Sequence, residues 1–291
     1  MSEAESVSER VQRLASNAVA AWRYAFSKQQ SAAWDRLRNL AQITDDPTDV
    51  ELLHFGLSVA VDAETSASLL AGQMADAAEQ LAAGPAAFVV AALLGQPDPL
   101  PEFMRDAPLL DEDFQPLVRE GEVAGDDLLD QVVRLADGDR LDRSPAFELT
   151  LLECVRRATR NAEVFDVPVT GATLVAHPAL EQAARAAFMP RYGDVHFVTP
   201  FGDRRLVDLW FTPAIPHPDL AFLVPHVPPD KRAFEIVQVS PPSAEWTPEQ
   251  FGRPARTVRV GASLGLRVHR APWVIKITSD DAEDAGGALC R

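Results

Sequence analysis

Helical and strand patterns occupy different parts of this 291-residue chain. Up to about residue 165, apolar residues recur at spacings of three and four, as on one face of a helix. Beyond Phe165, short apolar runs separated by proline, glycine and aspartate predominate, and such runs are typical of strands. Because the two patterns are segregated rather than alternating, the sequence favours an α+β fold over an α/β fold.

The first half of the chain predicts several helices. The apolar spacing predicts a helix over residues 5–41, ended by Asp45-Asp46-Pro47. An alanine-rich helix begins at Thr65 or Ser66, and Gly84-Pro85 is expected to break it because proline cannot donate a backbone hydrogen bond. It resumes at Pro85 and closes at Gly95, and two further helices are predicted near 126–137 and 145–161.

Two other segments in this half have a different character. "FGLSVAVDA" (residues 55–63) is a candidate for a short strand. Residues 96–125 hold repeated prolines among acidic residues, which predicts a long irregular excursion or linker.

The part beyond residue 165 predicts a series of strands and one helix, "PALEQAARAAF", opened by His177-Pro178. Gly261-Ala262-Ser263 separates two alternating stretches and is expected to join them as a hairpin. The acidic tail, residues 279–291, is expected to be mobile. The predicted strands are "ATLVA", "VHFVT", "LVDLWF", "LAFLV", "AFEIVQV", "TVRV", "LGLRVH" and "WVIKIT".

Composition narrows the function classes. The net charge of −16 argues against a general nucleic-acid or anionic-membrane binder, because attraction to phosphate needs clustered cations. No apolar run is long enough for a bilayer helix, and the first ten residues lack the pattern of a signal peptide, so we expect a soluble protein. Cys154 and Cys290 have no metal or redox spacing, which indicates a reducing compartment and no disulfide.

One motif suggests hydrolytic chemistry. Gly261-Ala262-Ser263-Leu264-Gly265 matches G-x-S-x-G, the nucleophile elbow of α/β-hydrolases. In that motif the serine lies on a strand-to-helix turn, whereas an alternating strand follows here. His269 is the last histidine, so the order serine, acid, histidine cannot be built downstream. We therefore favour a glycine-flanked turn over a catalytic Ser263.

Metal sites are also weakly indicated. Asp137, Asp139 and Glu148 occupy positions 1, 3 and 12 of a calcium loop, but Leu141 and Asp142 stand where a ligand and the obligatory glycine belong. A helix end and a new helix cap explain the same residues. No two histidines have a close helical or zinc-finger spacing, so a zinc site would have to be assembled in space from His54, His177, His196, His217, His226 and His269.

The tryptophans Trp22, Trp34, Trp210, Trp246 and Trp273 are scattered, which favours core or subunit contacts over a platform for bases. The sequence has no phosphate loop and no dinucleotide-binding glycine fingerprint. We therefore predict no catalytic, cofactor-binding or metal-binding residue.

Three segments carry a resemblance to a known family. In "TGATLVAHPALEQAARAAF" (170–188) a buried strand ends in His177-Pro178 and starts a helix; in "RRLVDLWFTPAIPHPDLAFLVP" (204–225) a loop leads to a strand, a proline-marked turn and a second strand. "RTVRVGASLGLRVHRAPWVIKIT" (256–278) is similar to a closing hairpin and last strand. Together they resemble the C-terminal half of the major capsid proteins of tailed double-stranded-DNA phages, a fold shared with the encapsulin nanocompartments.

The resemblance implies a division of the chain. Residues 1–45 would be a helical N-terminal arm, 46–165 a spine helix (66–94) with peripheral-domain helices (126–161), 166–278 an axial-type body, and 279–291 an acidic tail. The interruption at Gly84-Pro85 and the lack of an extended hairpin between 42 and 65 depart from the family pattern. None of Lys28, Lys231 and Lys276 lies where that hairpin belongs, so the lysine-to-asparagine crosslink of some relatives is not carried over.

The implied function is a structural shell subunit. Many copies would self-assemble into an icosahedral phage or prophage head that encloses double-stranded DNA without sequence-specific binding, with scaffold, portal or decoration proteins as further partners. It would use no cofactor, would be assembled in the bacterial host cytoplasm, and would reside in the virion. The alternatives are an encapsulin-type nanocompartment shell, and a soluble enzyme or small-molecule binder.

The resemblance also predicts how the chain is arranged. The C-terminal strand is expected to return to a sheet laid down much earlier, a non-local pairing that fastens a spread-out molecule. The helical beginning is expected to reach outward, where neighbouring copies would cover it.

Overall fold

The computed structural model of the protein describes residues 6–48, 50, 52–94, 132–134, 146–188, 196–198, 204–247, 255–269, 271 and 273–278. Its helices are α1 (Val7–Leu37), α2 (Ala67–Leu93), α3 (Ala146–Val164) and α4 (Glu181–Phe188). Its strands are β1 (Ala41–Thr44), β2 (Leu53–Val61), β3 (Val132–Arg134), β4 (Gly171–Ala176), β5 (His196–Val198), β6 (Arg204–Phe211), β7 (Leu220–His226), β8 (Phe234–Trp246), β9 (Arg256–Val268) and β10 (Ile275–Thr278).

The strands form two sheets. The first has the order β1-β8-β9-β2, with β1 parallel to β8 and the other pairs antiparallel. The second has the order β3-β10-β7-β4-β6-β5, with parallel pairs β3–β10 and β4–β6. Helices and strands are thus largely segregated along the chain, and the α+β class is confirmed.

The C-terminal strand returns to the body as expected. β10 lies inside the second sheet, antiparallel to β7 on one side and parallel to β3 on the other. Lys276 is opposite both Phe222 and Val132, so the end of the described chain is fixed to a segment more than a hundred residues earlier. Such non-local pairing closes the fold only after most of the chain has been made.

The helical beginning does not reach outward. Val11, Ala15 and Trp22 of α1 are buried in one hydrophobic core with Met74 and Phe88 of α2, and both helices contact β8 and β9. The expectation of an outward-reaching start is therefore wrong for these two helices. Ser6 and Glu9 begin α1 with a capping box, in which each side chain accepts a hydrogen bond from the other residue's backbone N–H.

The second sheet is covered on both faces. Leu174 of β4 and Leu223 of β7 belong to a core under α3 and α4, whereas Val175 and Phe222 of the same strands join the core of α1 and α2. Burial on both faces explains why "LAFLV" is a continuous apolar run and why "ATLVA" is apolar except at Thr173.

Pro85 does not break α2. The helix continues from Ala67 to Leu93, and both Gly84 and Pro85 are buried within it. Proline in a helix interior costs about 3 kcal/mol. The buried apolar residues on either side, including Leu81 and Phe88, offset that cost by removing large side chains from water.

Three other boundaries differ from the sequence prediction. The first helix ends at Leu37, and Ala41–Thr44 forms β1 because it pairs with β8. The helix predicted over 126–137 is wrong at Val132–Arg134, where two β-branched residues pair with β10 instead. The strand predicted for "WVIKIT" begins at Ile275, after a turn at Trp273.

The prediction of a hairpin at Gly261-Ala262-Ser263 is also wrong. β9 is one 13-residue strand that runs between β8 and β2. Gly261 is opposite Ser243 on one side and Gly56 on the other, close to a register shift in β8. A glycine inside a strand marks this kind of irregular pairing as readily as it marks a turn.

The other helix and strand predictions are confirmed where they fall within the described residues: the 55–63 strand, the 145–161 helix and the helix opened by His177-Pro178. The strands expected in one body over 166–278 are divided between the two sheets, with β8 and β9 in the first. Gly95, the 96–125 excursion, Asp137, Asp139 and the 279–291 tail lie outside the described residues.

Candidate functional site

Ser263 does not lie on a nucleophile elbow. It is buried near the middle of β9, opposite Ser240 of β8 and His54 of β2. A nucleophile elbow needs a sharp turn from a strand into a helix, which exposes the serine at the end of a sheet. The extended backbone here gives Ser263 the surroundings of a core strand residue.

The sequence-predicted metal ligands are not brought together. Within the described part of the chain, no three histidine, cysteine, aspartate or glutamate side chains are grouped closely enough to hold a metal ion. Glu148 lies in α3, while its calcium-loop companions Asp137 and Asp139 are outside the described residues. His177 caps the helix that follows it, since its Nδ1 accepts a hydrogen bond from the Ala179 N–H at 3.1 Å.

Cys154 is buried in α3 with a free thiol. Burial raises the pKa of Cys154 to about 12; the charge of Arg157 acts to lower it and that of Glu153 to raise it. A thiol with so high a pKa stays protonated at neutral pH and is a poor nucleophile or metal ligand. Cys290 lies outside the described residues.

A polar cluster, buried at His226 and Thr173 but 43% exposed at the Asp208 side chain, joins the end of α1 to the second sheet. Nε2 of His226 is 2.8 Å from the Thr173 hydroxyl and 3.6 Å from the Asp208 carboxylate. The Asn39 side chain, just after α1, donates to the same carboxylate at 3.1 Å. The cluster therefore connects three neighbouring strands to the first helix.

The His226 cluster is not built as a catalytic triad. In a triad the acid contacts Nδ1 of the histidine and the hydroxyl contacts Nε2, so that a proton can pass between them. Here the hydroxyl and the acid share Nε2. Burial lowers the pKa of His226 to about 4; Asp208 opposes this shift and Arg232 adds to it. His226 is therefore neutral at pH 7 and acts as a structural hydrogen-bonding group.

A second polar cluster ties the turn after β1 to the ends of β8 and β9. Arg267 donates to the Glu235 carboxylate at 2.6 Å and also to the Thr48 carbonyl oxygen, and Nε2 of His269 lies 3.1 Å from the same carboxylate. Burial by itself would raise the pKa of Glu235, but hydrogen bonds and positive charge from Arg267 and His269 hold it below its ordinary value.

Sequence reasoning did not identify either cluster. The one signal was a lone charged residue inside an apolar strand pattern, as Asp208 is in "LVDLWF". Its partners Thr173, His226 and Asn39 come from three other segments, so only the sheet order brings them together. Both clusters fix chain segments to each other.

An open groove of about 580 Å³ lies between α1 and the end of β8. Its walls are mostly apolar, and Arg23 of α1 and Glu245 of β8 supply charge. Trp246 forms part of the wall and carries the Arg256 guanidinium 5.3 Å from its ring centroid, a cation–π contact. The other lining residues are Ser16, Val19, Ala20 and Ala244.

Several large apolar side chains are exposed. Val164 and Phe165, at the end of α3, are adjacent and are 73% and 59% exposed. Phe165 leans edge-on against Trp273, with 6.1 Å between ring centroids. These two residues form a small exposed apolar surface at the C-terminal end of α3. Val7, Tyr24, Ile43, Leu69 and Val239 are exposed singly.

No described helix is both long and apolar enough to cross a membrane. No protein-family model matches the chain, and no curated protein matches it in sequence.

Solved structures do match in fold. A chain of the virus-like particle from Pyrococcus furiosus is similar to 89% of this chain over 98% of its own length, with a TM-score of 0.50 and 10% sequence identity. A Mycobacterium phage Patience structure matches 90% of this chain and 88% of its own, with a TM-score of 0.47 and 12% identity. The capsid structure of cyanophage P-SCSP1u matches 79% of this chain and 73% of its own, with a TM-score of 0.46 and 10% identity.

The match to the Pyrococcus furiosus particle defines the class of fold. It spans nearly the whole of that chain and most of this one, so the two share an architecture rather than a single motif. The chain therefore has the α+β, phage-capsid-like fold that its strand and turn patterns resembled.

Proposed function

We propose that this protein is a structural shell subunit, the major capsid protein of a phage or prophage, which self-assembles into an icosahedral head around double-stranded DNA. The observation that carries the proposal is the fold shared with the virus-like particle of Pyrococcus furiosus across 98% of that chain. The chain acts by binding copies of itself, and its polar clusters hold the subunit together rather than transform a substrate.

The fold elements suit this role. α2, a continuous helix of 27 residues, is the spine helix of the proposed subunit, and the sheet that contains β10 is the axial part. α3 packs on that sheet together with α4, so in the proposed subunit it belongs to the axial part and not to the peripheral part that the resemblance implied for residues 126–161. Val164 and Phe165 at its end supply apolar surface for contact with a neighbouring copy. In a closed shell every subunit makes the same contacts with its neighbours, and the rotation between neighbours must bring the series of subunits back to the first one.

An encapsulin-type nanocompartment shell is the second candidate within the same fold. The match at a TM-score of 0.50 is to a virus-like particle from Pyrococcus furiosus, and this observation favours it. A phage head is filled with DNA by a motor, whereas a nanocompartment encloses an enzyme. Neighbouring genes separate the two: terminase, portal and protease for a phage, or a cargo enzyme for a nanocompartment.

The assembly experiment uses the full chain, expressed alone and together with a scaffold protein from its own gene neighbourhood. Light scattering after size exclusion is expected to give particles in the megadalton range, against 31.7 kDa for one chain. Negative-stain images are expected to show closed shells of uniform size. A clean monomer under every condition, with or without scaffold, contradicts the proposal and favours the soluble enzyme or small-molecule binder.

A further inference from the structure

α1 has the opposite charge balance to the rest of the protein. It contains the basic residues Arg10, Arg13, Arg23, Lys28 and Arg36 and only the acidic residues Glu9 and Asp35, although the whole chain has a net charge of −16. The next helix, α2, contains Asp76 and Glu79 and no basic residue. The total charge of the chain therefore conceals a local cationic element.

The cations of α1 are arranged along its outer face. Arg10, Arg13, Asn17, Tyr24 and Lys28 are all exposed and follow one another at helical spacing; we name these five residues the cationic stripe. The opposite face of the helix is buried in the core through residues such as Ala15 and Trp22. At a rise of 1.5 Å per residue, the stripe extends about 27 Å from Arg10 to Lys28.

Tyr24 places an aromatic ring in the stripe. Its side chain is 74% exposed, more than any other large apolar or aromatic side chain in the described part of the chain. An exposed tyrosine between cations can stack on an unpaired base or donate its hydroxyl proton to a phosphate oxygen. Protein surfaces that bind nucleic acid commonly combine a row of positive charges with an aromatic ring placed between them.

We propose that the cationic stripe of α1 is a contact surface for nucleic acid. Charge density selects this partner over a second copy of the chain. Duplex DNA carries one negative charge for about every 1.7 Å, so the length of the stripe faces about 16 phosphate charges. That equals the net charge of a whole copy of this protein, which is spread over 16059 Å² of surface.

The binding is weak and independent of sequence. The stripe holds three cations, and each phosphate that a cation neutralises releases a counterion, so affinity must fall as salt rises. The acidic remainder of the protein repels DNA, which confines contact to α1. The inner surface of a shell with such stripes would contact the enclosed DNA without immobilising it. In the proposed shell, the stripe would be the surface of each subunit that contacts the enclosed DNA. That placement of α1 on the interior rests on the proposed function, whereas DNA binding by the stripe itself does not.

The test compares charge reversals at matched sites in the full-length protein. The stripe variant is Arg10→Glu/Arg13→Glu/Lys28→Glu. The control variant is Arg156→Glu/Arg185→Glu/Lys231→Glu, which makes the same change in net charge at exposed cations elsewhere. Binding of a fluorescent 20-base-pair duplex and a 20-nucleotide single strand is measured by anisotropy between about 20 and 200 mM salt. The measurement uses unassembled subunits separated from particles by size exclusion, because a closed shell would keep added DNA away from α1.

For the wild type and the control, the plot of log affinity against log salt is expected to slope by about −2 to −3, as three phosphate contacts require. The stripe variant is expected to bind at least about tenfold more weakly at the lowest salt, with a slope near zero. Tyr24→Ala is expected to weaken single-strand binding at least about fivefold, because stacking on one base is lost.

Three results would overturn the inference: no binding by the wild type at low salt, equal losses in the stripe and control variants, or loss of particles with unchanged DNA binding in the stripe variant. Loss of particles with unchanged DNA binding would mean that the stripe contacts another copy of the chain instead of DNA. Particles that form from subunits whose unassembled form does not bind DNA through the stripe contradict this inference and leave the shell intact. Stripe-dependent DNA binding by a protein that never assembles contradicts the shell and leaves this inference intact.

Discussion

His226 and Thr173 are diagonal neighbours on antiparallel strands, and Nε2 of the histidine lies 2.8 Å from the hydroxyl of the threonine. Both residues are buried, and the nearest acid, Asp208, is shared with Asn39 just beyond α1. A neutral imidazole fits this position because it needs only one or two hydrogen bonds, whereas a buried imidazolium would have to give up hydration. The protonation of His226 is therefore coupled to folding.

The first prediction is that acid destabilises the protein through His226. The pKa of His226 is about 4 in the folded state against 6.5 for an unperturbed histidine, so below pH 6.5 the unfolded chain binds a proton that the folded chain does not. Stability from this group is complete above pH 6.5 and is lost as the pH falls to 4. The loss amounts to about 3 kcal/mol. Denaturant unfolding at pH 7 and pH 4.5 measures it.

The variant His226→Gln isolates that contribution. Glutamine can still hydrogen-bond Thr173 but does not titrate, so the decline in stability between pH 7 and 4.5 is expected to shrink by about 2 to 3 kcal/mol. His177→Asn is the control, because asparagine also caps a helix and His177 is not buried. An unchanged decline in His226→Gln, or an equal change in the control, would contradict the assignment.

The second prediction concerns the ion pair of Arg267 with Glu235. Arg267→Met would leave a largely buried carboxylate with one fewer charged donor and release the Thr48 carbonyl oxygen, at a cost of about 2 kcal/mol at pH 7. The pKa of Glu235 lies below its ordinary value, so its contribution is present above pH 4.5 and disappears as the pH falls through the folded value. Urea unfolding at pH 7 tests the loss.

Removing the carboxylate charge supplies the control for this pair. Arg267→Met/Glu235→Gln is expected to be more stable than Arg267→Met alone, because the largely buried charge that has lost its arginine partner is then also removed. A double variant as unstable as the sum of the two single variants would mean that the residues do not interact.

Elements whose own residues decide their form could be predicted from the sequence. α1 and α3 show helical spacing, and β4 and β7 are mostly apolar because both faces of their sheet are buried. The resemblance of three C-terminal segments to phage capsid proteins was sufficient to predict the fold, which most of the Pyrococcus furiosus chain shares.

The features that depend on partners far along the chain could not be predicted. Val132–Arg134 is a strand only because β10 pairs with it, and β9 is continuous only because β8 and β2 hold it on both sides. The same limit applies to function. Net charge alone argued against nucleic acid, whereas the position of Arg10, Arg13 and Lys28 on one exposed face follows from how α1 packs.

The third prediction tests whether β9 is continuous through Gly261-Ala262-Ser263, where the sequence predicted a hairpin. Ala262 lies in β9 opposite Phe55 of β2, with β8 on the other side of the strand, and proline is disfavoured inside a strand that has neighbours on both sides. Ala262→Pro is expected to destabilise the protein by more than about 3 kcal/mol. Ala255→Pro, at an exposed residue just before the strand, is the control and is expected to be tolerated. Equal thermal midpoints for the two variants would favour a turn.

The fourth prediction separates the shell from the enzyme hypothesis. Ser263→Ala is expected to cost about 1 kcal/mol, the usual value of one buried hydrogen bond, and to leave particle formation unchanged. Ser243→Ala, at an exposed position of β8, is the matched control. Hydrolysis of p-nitrophenyl acetate by the wild type that disappears in Ser263→Ala but persists in Ser243→Ala would reverse the ranking in favour of an enzyme.

The last prediction addresses assembly through the apolar end of α3. Val164 is 73% exposed in the subunit, and Val164→Lys places a cation at the C-terminus of a helix, where the helix dipole favours it. The single subunit is therefore expected to keep its thermal midpoint. Burying that ammonium between copies would cost several kcal/mol per contact, so particles should be lost or should require much higher protein concentration. Glu163→Lys is the control, because it adds a cation one residue earlier without removing apolar surface. Light scattering that finds particles of normal size and abundance in Val164→Lys would place the subunit contacts elsewhere on the molecule.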